Sequence, residues 1–431
     1  MSRTSLADVH PRAARRALLA ALLTTAALVA PPAAAETLAI TGATIYVSPD
    51  RKLEDATLVV TDGKITAVGA GAGVAIPASA RRIDATGKVV TAGLIESACQ
   101  LGLVEVELEP AGGDGRFGTA PTPIHAAFRS TDSFDPRSVA IPVARTGGVT
   151  SAIAGPTGGL LSGQSAWMSL ADAARPAAPV ADPAAMNAAL GALAIGNGSR
   201  GHAIELLREA LDDAAQYQAK RGAYDRNQSR KLAAERLDLE ALLPVLSGRL
   251  PLVITAHAES DLRAALALAK ERRLRLIIAG GAEAWRLADE LAAARVPVIL
   301  DPTANLPELM AADVRDDNAA LLAKAGVQVA ISTLGEASSV RTLRQLAGVA
   351  VAHGLRWDQA LAAVTSVPAA IFGQPARGLL TRGGPADLVI WSGDPLELGS
   401  RAELVLIGGV PQSMQTHQTR LLERYRRVPA K

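Results

Sequence analysis

The chain is poor in cysteine, in aromatic residues and in surplus charge. Its 431 residues include one cysteine, 3% aromatic residues and a formal net charge of +2. A single cysteine excludes an intramolecular disulfide, and the low aromatic content requires a core made mainly of aliphatic side chains. The small net charge gives no reason to expect a nucleic acid or an anionic membrane as partner.

Long apolar runs are also scarce, and the clearest one lies at the N-terminus. Arginines precede an apolar run at 17–30, and the small residues of "PPAAAE" follow it. This order is typical of a signal peptide, with cleavage predicted between Ala35 and Glu36. The run is short for a membrane span. We therefore expect residues 1–35 to be removed, leaving an exported, periplasmic protein with no stable membrane insertion. An uncleaved anchor is the alternative.

Two separate regions predict β structure. Apolar and polar positions alternate from Thr37 to Val90, and "TDGK" at 61–64 is a strong hairpin signal. Near the other end, "ELVLIGGV" (403–410) is typical of a further strand. Both regions are therefore expected to be rich in β-strands. Residues 413–431 are then a charged tail, as a solvated helix or a disordered end.

The middle of the chain, 91–375, alternates buried β-type runs with helical patterns. The runs are 149–154, 165–170, 252–256, 274–279, 296–300, 327–332 and the strand that enters Ala98. Buried strands joined by helices indicate an α/β fold, and their number suits a TIM-type (β/α)8 barrel. The residues leave the position of the eighth strand open.

Two segments carry a family resemblance. "IDATGKVVTAGLIESACQLG" (83–102) resembles the stretch with which metal-dependent amidohydrolases enter their barrel, ending in "PGLIDxHxHLG". "GLLTRGGPADLVIWSGDPLE" (378–397) resembles the segment where they leave it. The chain is thus similar to the imidazolonepropionase-like branch of the amidohydrolase superfamily. The resemblance implies that residues 37–90 and 376–412 form one discontinuous β-sandwich. It also implies a site at the carboxyl ends of the barrel strands and hydrolysis of non-peptide C–N bonds in cyclic or small amides.

The same resemblance locates the metal ligands, and most of them are replaced. The two first-strand histidines correspond to Ala98 and Gln100, the sixth-strand histidine falls near Gly280, and the eighth-strand aspartate corresponds to Leu334. His257, in "PLVITAHAESD", matches the fifth-strand histidine. A catalytic zinc typically needs about three protein ligands. We therefore predict no metal and no cofactor, although zinc would be expected of intact relatives.

Several polar residues near predicted strand ends are candidates for another site. His257 is the catalytic candidate, as an acid or base. The alternative is that this histidine has no function and is hydrogen-bonded locally at the strand end. The ligand-binding candidates are Glu96, Gln100, Glu283 and Glu336. Glu96 can instead be a buried carboxylate satisfied by hydrogen bonds. Cys99 could pair with His257 as a thiolate, but strand alternation turns it away from the barrel mouth and favours a buried structural thiol.

Two functions of different class follow. In the first, the chain is a pseudoenzyme whose barrel binds a small amide-like ligand or pairs with an active paralogue. In the second, it is a hydrolase of a cyclic or small amide with a relocated or metal-independent site. A fold can persist after its catalytic activity is lost, so the barrel alone does not decide between the two functions. Homodimers are common among relatives, but the residues show no contact surface.

Overall fold

The structure is a computed structural model. It describes residues 37–106, 108–117, 123–172, 178–191, 199–308, 311–335 and 337–426, which belong to one compact unit. The predicted signal peptide at 1–35 and the candidate ligand residue Glu336 lie outside the described residues.

Strands from both ends of the described chain form one eight-stranded sheet, the terminal sheet. Its strands are β1 (Thr37–Ser48), β2 (Arg51–Thr61), β3 (Lys64–Ala70), β4 (Arg81–Asp84), β5 (Val89–Ala92), β14 (Leu388–Trp391), β15 (Ala402–Ile407) and β16 (Val410–Pro411). The order is β16–β15–β14–β5–β1–β2–β3, with β4 paired to β1. The antiparallel pairing of β5 with β14 joins the two segments. Alternate residues of β1 and β2, among them Leu38, Ile40, Leu58 and Val60, point into a core of its own.

The second sheet is a nearly closed barrel. Its strands are β6 (Leu94–Cys99), β7 (Val149–Ala154), β8 (Leu161–Ser169), β9 (Ala181–Ala189), β10 (Leu252–Ala256), β11 (Leu276–Gly280), β12 (Val298–Leu300) and β13 (Val329–Ile331), adjacent in chain order. The first and last strands meet where Cys99 pairs in parallel with Gly335 and the Gln100 N–H donates to the Gly335 carbonyl at 2.9 Å. The predicted fold class, a barrel with a separate sheet from both terminal segments, is confirmed.

One part of the barrel departs from the all-parallel pattern. β8 runs antiparallel to both β7 and β9, whereas the other neighbouring pairs are parallel. β9 is the strand that the sequence does not place. Its sequence "ADPAAMNAA" consists largely of alanine and contains Pro183. Alanine and proline are depleted in strands, so neither β propensity nor alternation identifies β9.

The described residues form twelve α-helices, most of which cover the outside of the barrel. They are α1 (Ser130–Ser133), α2 (Ala140–Thr146), α3 (Arg200–Ala219), α4 (Arg221–Asp225), α5 (Arg236–Leu246), α6 (Glu259–Arg272), α7 (Ala288–Ala294), α8 (Asn318–Lys324), α9 (Leu343–Ala352), α10 (Trp357–Ala363), α11 (Ser366–Ile371) and α12 (His417–Tyr425). None of the described helices has the length and apolar character needed to cross a membrane.

Two apolar clusters sit on either side of the barrel wall. In β10, Val253 packs inside the barrel, while Leu252 and Ile254 pack outward under the helices. The inner cluster also contains Ile153, Trp167 and other side chains, so much of the barrel is a packed core. Polar groups that act on a ligand must therefore come mainly from the carboxyl ends of the parallel strands.

Candidate functional site

A cavity of about 600 Å³ opens at the carboxyl ends of the parallel barrel strands. Gln100, His257 and Asp301 border it just beyond β6, β10 and β12. A neighbouring cavity of about 620 Å³ shares five of its lining residues: Gln100, Asp301, Thr333, Leu334 and Gly335. The two spaces therefore form one recess, the barrel mouth, at the position where barrel enzymes carry their chemistry.

Neutral polar groups dominate the polar lining of the first cavity. They are the hydroxyls of Ser97, Thr157, Ser162, Ser165, Thr255 and Thr333 and the amides of Gln100 and Asn187. The Ser97 hydroxyl is buried and has no hydrogen-bond partner. Leaving a buried hydroxyl unpaired costs about 1–3 kcal/mol, a cost that a ligand group hydrogen-bonded to Ser97 would offset. The lining thus offers hydrogen bonds to an uncharged polar molecule.

Glu96 lies under the mouth and is fully buried. Its carboxylate accepts hydrogen bonds from the Ser332 hydroxyl, from the backbone N–H groups of Ala98 and Thr333, each at 3.2 Å, and from the Thr333 hydroxyl at 3.1 Å. Burial raises the pKa of Glu96 to about 7, although each of these donors favours the charged form. The carboxylate therefore connects β6 to the residues that follow β13. This is the arrangement expected if Glu96 is a buried carboxylate satisfied by hydrogen bonds.

β6 does not keep a regular alternation along its length. Ile95 packs in the inner cluster, and the pairing with β7 shifts register between Glu96 and Cys99. Ala98 also contacts the inner cluster, three residues after Ile95. The usual alternation of inward and outward side chains therefore does not predict which residues of β6 face the barrel interior.

Gln100, which the family resemblance matches to a first-strand histidine, is buried at the edge of the mouth. Its amide nitrogen donates to the Thr157 hydroxyl at 3.0 Å, and its oxygen accepts from Arg116 Nε at 3.0 Å. Both ends of the side chain are therefore used to hold the loops after β6 and β7. Gln100 lines both cavities. Its contact with a ligand stays a prediction.

His257 faces the cavity and is partly buried. Burial lowers the pKa of its imidazole, and the carboxylates of Glu308 and Asp261 oppose this shift. The ring leans over Gly280: a Cβ added there would lie 2.6 Å from His257 Cε1. Gly280 also has a φ of 91°, which L side chains rarely adopt. The space beside the sixth-strand ligand position is thus taken by the imidazole of His257.

Cys99 borders the cavity, but its side chain belongs to the outer cluster. The thiol lies 3.8 Å from the Ile153 carbonyl oxygen, to which it donates. Burial raises the pKa of this thiol well above its usual range, and the Glu96 carboxylate adds to the effect. Cys99 is therefore a buried neutral thiol and not a thiolate poised beside His257.

Two further carboxylates need separate description. Glu283 does not line either cavity of the mouth, and its two oxygens accept from the backbone N–H groups of Glu259 at 2.7 Å and Asp313 at 3.0 Å. Its ligand-binding role stays a prediction. Asp301, which no sequence motif indicates, lines both cavities and accepts from the Thr303 N–H at 2.8 Å. The available signal is its position as the first polar residue after the buried strand β12.

The donor set does not fit the zinc site of intact relatives. Ala98 is apolar, Gln100 is engaged with Arg116, and Leu334 at the aspartate position is a hydrocarbon side chain. Within the described ranges, no group of three or more His, Cys, Asp or Glu residues could hold a metal ion. Because zinc takes about three protein ligands of these types, no chemical step is assigned to a metal here.

Comparisons with known proteins agree with this fold. The amidohydrolase family model matches residues 352–411, from the end of α9 to β16. A search of curated proteins gives no match. Among solved structures, the chain is similar to an amidohydrolase from Thermotoga maritima MSB8, with a TM-score of 0.78 and 26% identity over 87% of this chain and 99% of that chain.

More distant structures share the fold alone. Molinate hydrolase has a TM-score of 0.55 and 15% identity, covering 88% of this chain and 95% of its own. A prolidase complexed with N-methylphosphonate-L-proline has a TM-score of 0.53 and 17% identity, covering 88% of this chain and 100% of its own.

Proposed function

Because this chain belongs to the amidohydrolase superfamily, we propose that it uses the family's barrel as a metal-independent module that binds a small, uncharged, amide-like molecule. The observation that carries the proposal is the lining of the mouth, which offers hydroxyl and amide groups. Such groups can hydrogen-bond the carbonyl and N–H of an amide without activating water. Asp301 is the one described carboxylate residue lining the first cavity.

The residues support binding better than hydrolysis. A general base must be held in place, usually by a third group hydrogen-bonded to it. No described residue hydrogen-bonds the imidazole of His257, although burial lowers its pKa and so favours the neutral form. Cys99 directs its thiol to a backbone carbonyl. The metal-independent hydrolase therefore lacks an oriented nucleophile–base pair among the described residues.

Elemental analysis tests the metal-independent part of the proposal. The protein is purified without chelator, incubated with zinc, manganese and iron, and freed of unbound metal. We expect far less than one metal per chain and no turnover of cyclic or linear amides. About one tightly bound metal per chain, together with amide hydrolysis, would establish the alternative function.

Ligand binding is tested by a thermal-shift screen of small neutral amides, cyclic and linear, followed by calorimetric titration of the hits. Ser97→Ala should weaken binding of a hit by about 5-fold, as expected for one lost hydrogen bond. Ser138→Ala is the matched control, because Ser138 is buried but does not line the mouth. Equal affinities for both variants would remove Ser97 from the ligand contacts.

A further inference from the structure

The helix α12 (His417–Tyr425) stands apart from the two cores. Each of its side chains is exposed, including the apolar residues Leu421, Leu422 and Tyr425, at 40%, 62% and 65%. An isolated helix of nine residues is marginal in water. Its local sequence and its attachment must therefore explain why it forms.

A capping box fixes the start of α12 at the surface of the protein. The Thr416 hydroxyl accepts from the Thr419 N–H at 3.2 Å, and the Thr419 hydroxyl accepts from the Thr416 N–H at 2.8 Å. Thr416 itself is buried, and Met414 packs against the outer core. The helix therefore begins at a fixed point, which lowers the entropy lost when it binds a partner.

The helix is amphipathic with basic flanks. At about 100° per residue, Leu421, Leu422 and Tyr425 share one face, while Arg424 and Arg426 fall on its two sides. The segment 417–426 contains three arginines and one acidic residue, Glu423, which lies away from the apolar face. The sequence continues with Arg427 and Lys431. The whole chain is nearly neutral, but this end is locally cationic.

We propose that α12 adsorbs to an anionic lipid surface. Leu421, Leu422 and Tyr425 would lie at the boundary between headgroups and acyl chains, and the arginines would contact headgroup phosphates, as in other interfacial helices. A second copy of α12 is disfavoured as partner. Two-fold pairing through the apolar face would place arginine flanks beside each other.

Vesicle sedimentation tests this proposal. The protein begins at Glu36, so that the apolar run at 17–30 cannot contribute, since Thr37–Lys431 is one compact unit. Its melting temperature is compared with that of the full chain. Vesicles of phosphatidylglycerol and phosphatidylcholine are compared with vesicles of phosphatidylcholine alone. We expect binding to the anionic vesicles only, weakening as salt increases.

Variants of α12 separate the electrostatic contribution to vesicle binding from the apolar contribution. Arg424→Gln with Arg426→Gln should weaken binding about 30-fold, at about 1 kcal/mol for each charge. Leu421→Ser with Leu422→Ser should weaken it by more than about 10-fold, because two apolar side chains no longer leave water. Since no α12 side chain is buried, the melting temperatures should stay unchanged.

Matched controls use the same changes at other exposed positions. Arg51→Gln with Arg382→Gln removes two surface charges, and Leu306→Ser with Leu398→Ser removes two exposed leucines. Both should bind like the parent. Absence of binding, equal binding to neutral vesicles, or equal losses in the controls would overturn the proposal. So would self-association in sedimentation velocity that the Leu421/Leu422 variant abolishes, without vesicle binding, because it would identify a second copy as partner.

Discussion

Replacing the buried Glu96 by glutamine should change stability in a pH-dependent way. The carboxyl is fully buried, and its pKa is raised from 4.5 to about 7. Because the folded state holds this proton more tightly than the unfolded state, stability is highest below about pH 4.5. It is lost as pH rises toward 7 and then levels off. Glutamine does not titrate, so Glu96→Gln removes this pH dependence of the stability.

The magnitude follows from the two pKa values. Between pH 5 and pH 8, ionisation of Glu96 should lower the free energy of unfolding by about 2.5 kcal/mol, at about 1.4 kcal/mol per pH unit within the window. The substitution has its own cost, because the four groups that contact the carboxylate can all act as donors and an amide nitrogen cannot accept from them. That cost is about 1–3 kcal/mol and does not depend on pH.

The assay is urea unfolding at pH 5, 6, 7 and 8, followed by tryptophan fluorescence. At pH 5 Glu96→Gln should be clearly less stable than the parent, and at pH 8 the difference should shrink by about 2.5 kcal/mol. Glu209→Gln, at an exposed position of α3, should differ from the parent by less than about 0.5 kcal/mol at every pH. A difference for Glu96→Gln that stays constant from pH 5 to pH 8 would show that the folded state does not raise the pKa of Glu96.

Other predictions concern the mouth and the N-terminus. His257→Ala should cost no more than about 1 kcal/mol, so a large loss of melting temperature would contradict its placement. Gly280→Ala should cost more, and a double-mutant cycle with His257→Ala should show coupling of about 0.5–3 kcal/mol, since the new Cβ meets the imidazole. Gln100→Ala should speed backbone hydrogen exchange around Arg116. Unchanged exchange would show that the Gln100–Arg116 hydrogen bond does not hold this loop in place. Sequencing of the protein from the periplasm should give Glu36 as first residue, whereas an intact N-terminus would indicate an anchor.

The sequence predicts the barrel well where side chains are apolar and branched. Val149–Ala154 and Leu252–Ala256 are strands with the predicted bounds. Their buried β-branched residues distinguish them from neighbouring helices. β9 gives no such signal, because most of its side chains are alanine and its pairing with β8 and β10 is decided by the closing barrel.

The candidate site is harder to predict, because its details depend on neighbours distant in sequence. That His257 lines the mouth follows from its place after a strand. That its ring covers Gly280 depends on how two strands align, which no local pattern records. Likewise, three of the four hydrogen bonds that Glu96 accepts come from Ser332 and Thr333, more than two hundred residues away. Asp301 follows a buried strand but belongs to no family motif.

Two polar residues of the first barrel strand and its end connect the strands around the mouth. In metal-dependent relatives, an ion held from several strand ends would join them. Here the Glu96 carboxylate joins the first strand to residues after the last, and Gln100 joins it to Thr157 and Arg116. These contacts combine charge-assisted and amide hydrogen bonds, which are stable when buried and fully paired. The unpaired Ser97 hydroxyl is the exception among these groups, and it is buried beside the cavity. Hydrogen bonds thus maintain the shape of the mouth, and the unpaired Ser97 hydroxyl lies buried in its wall.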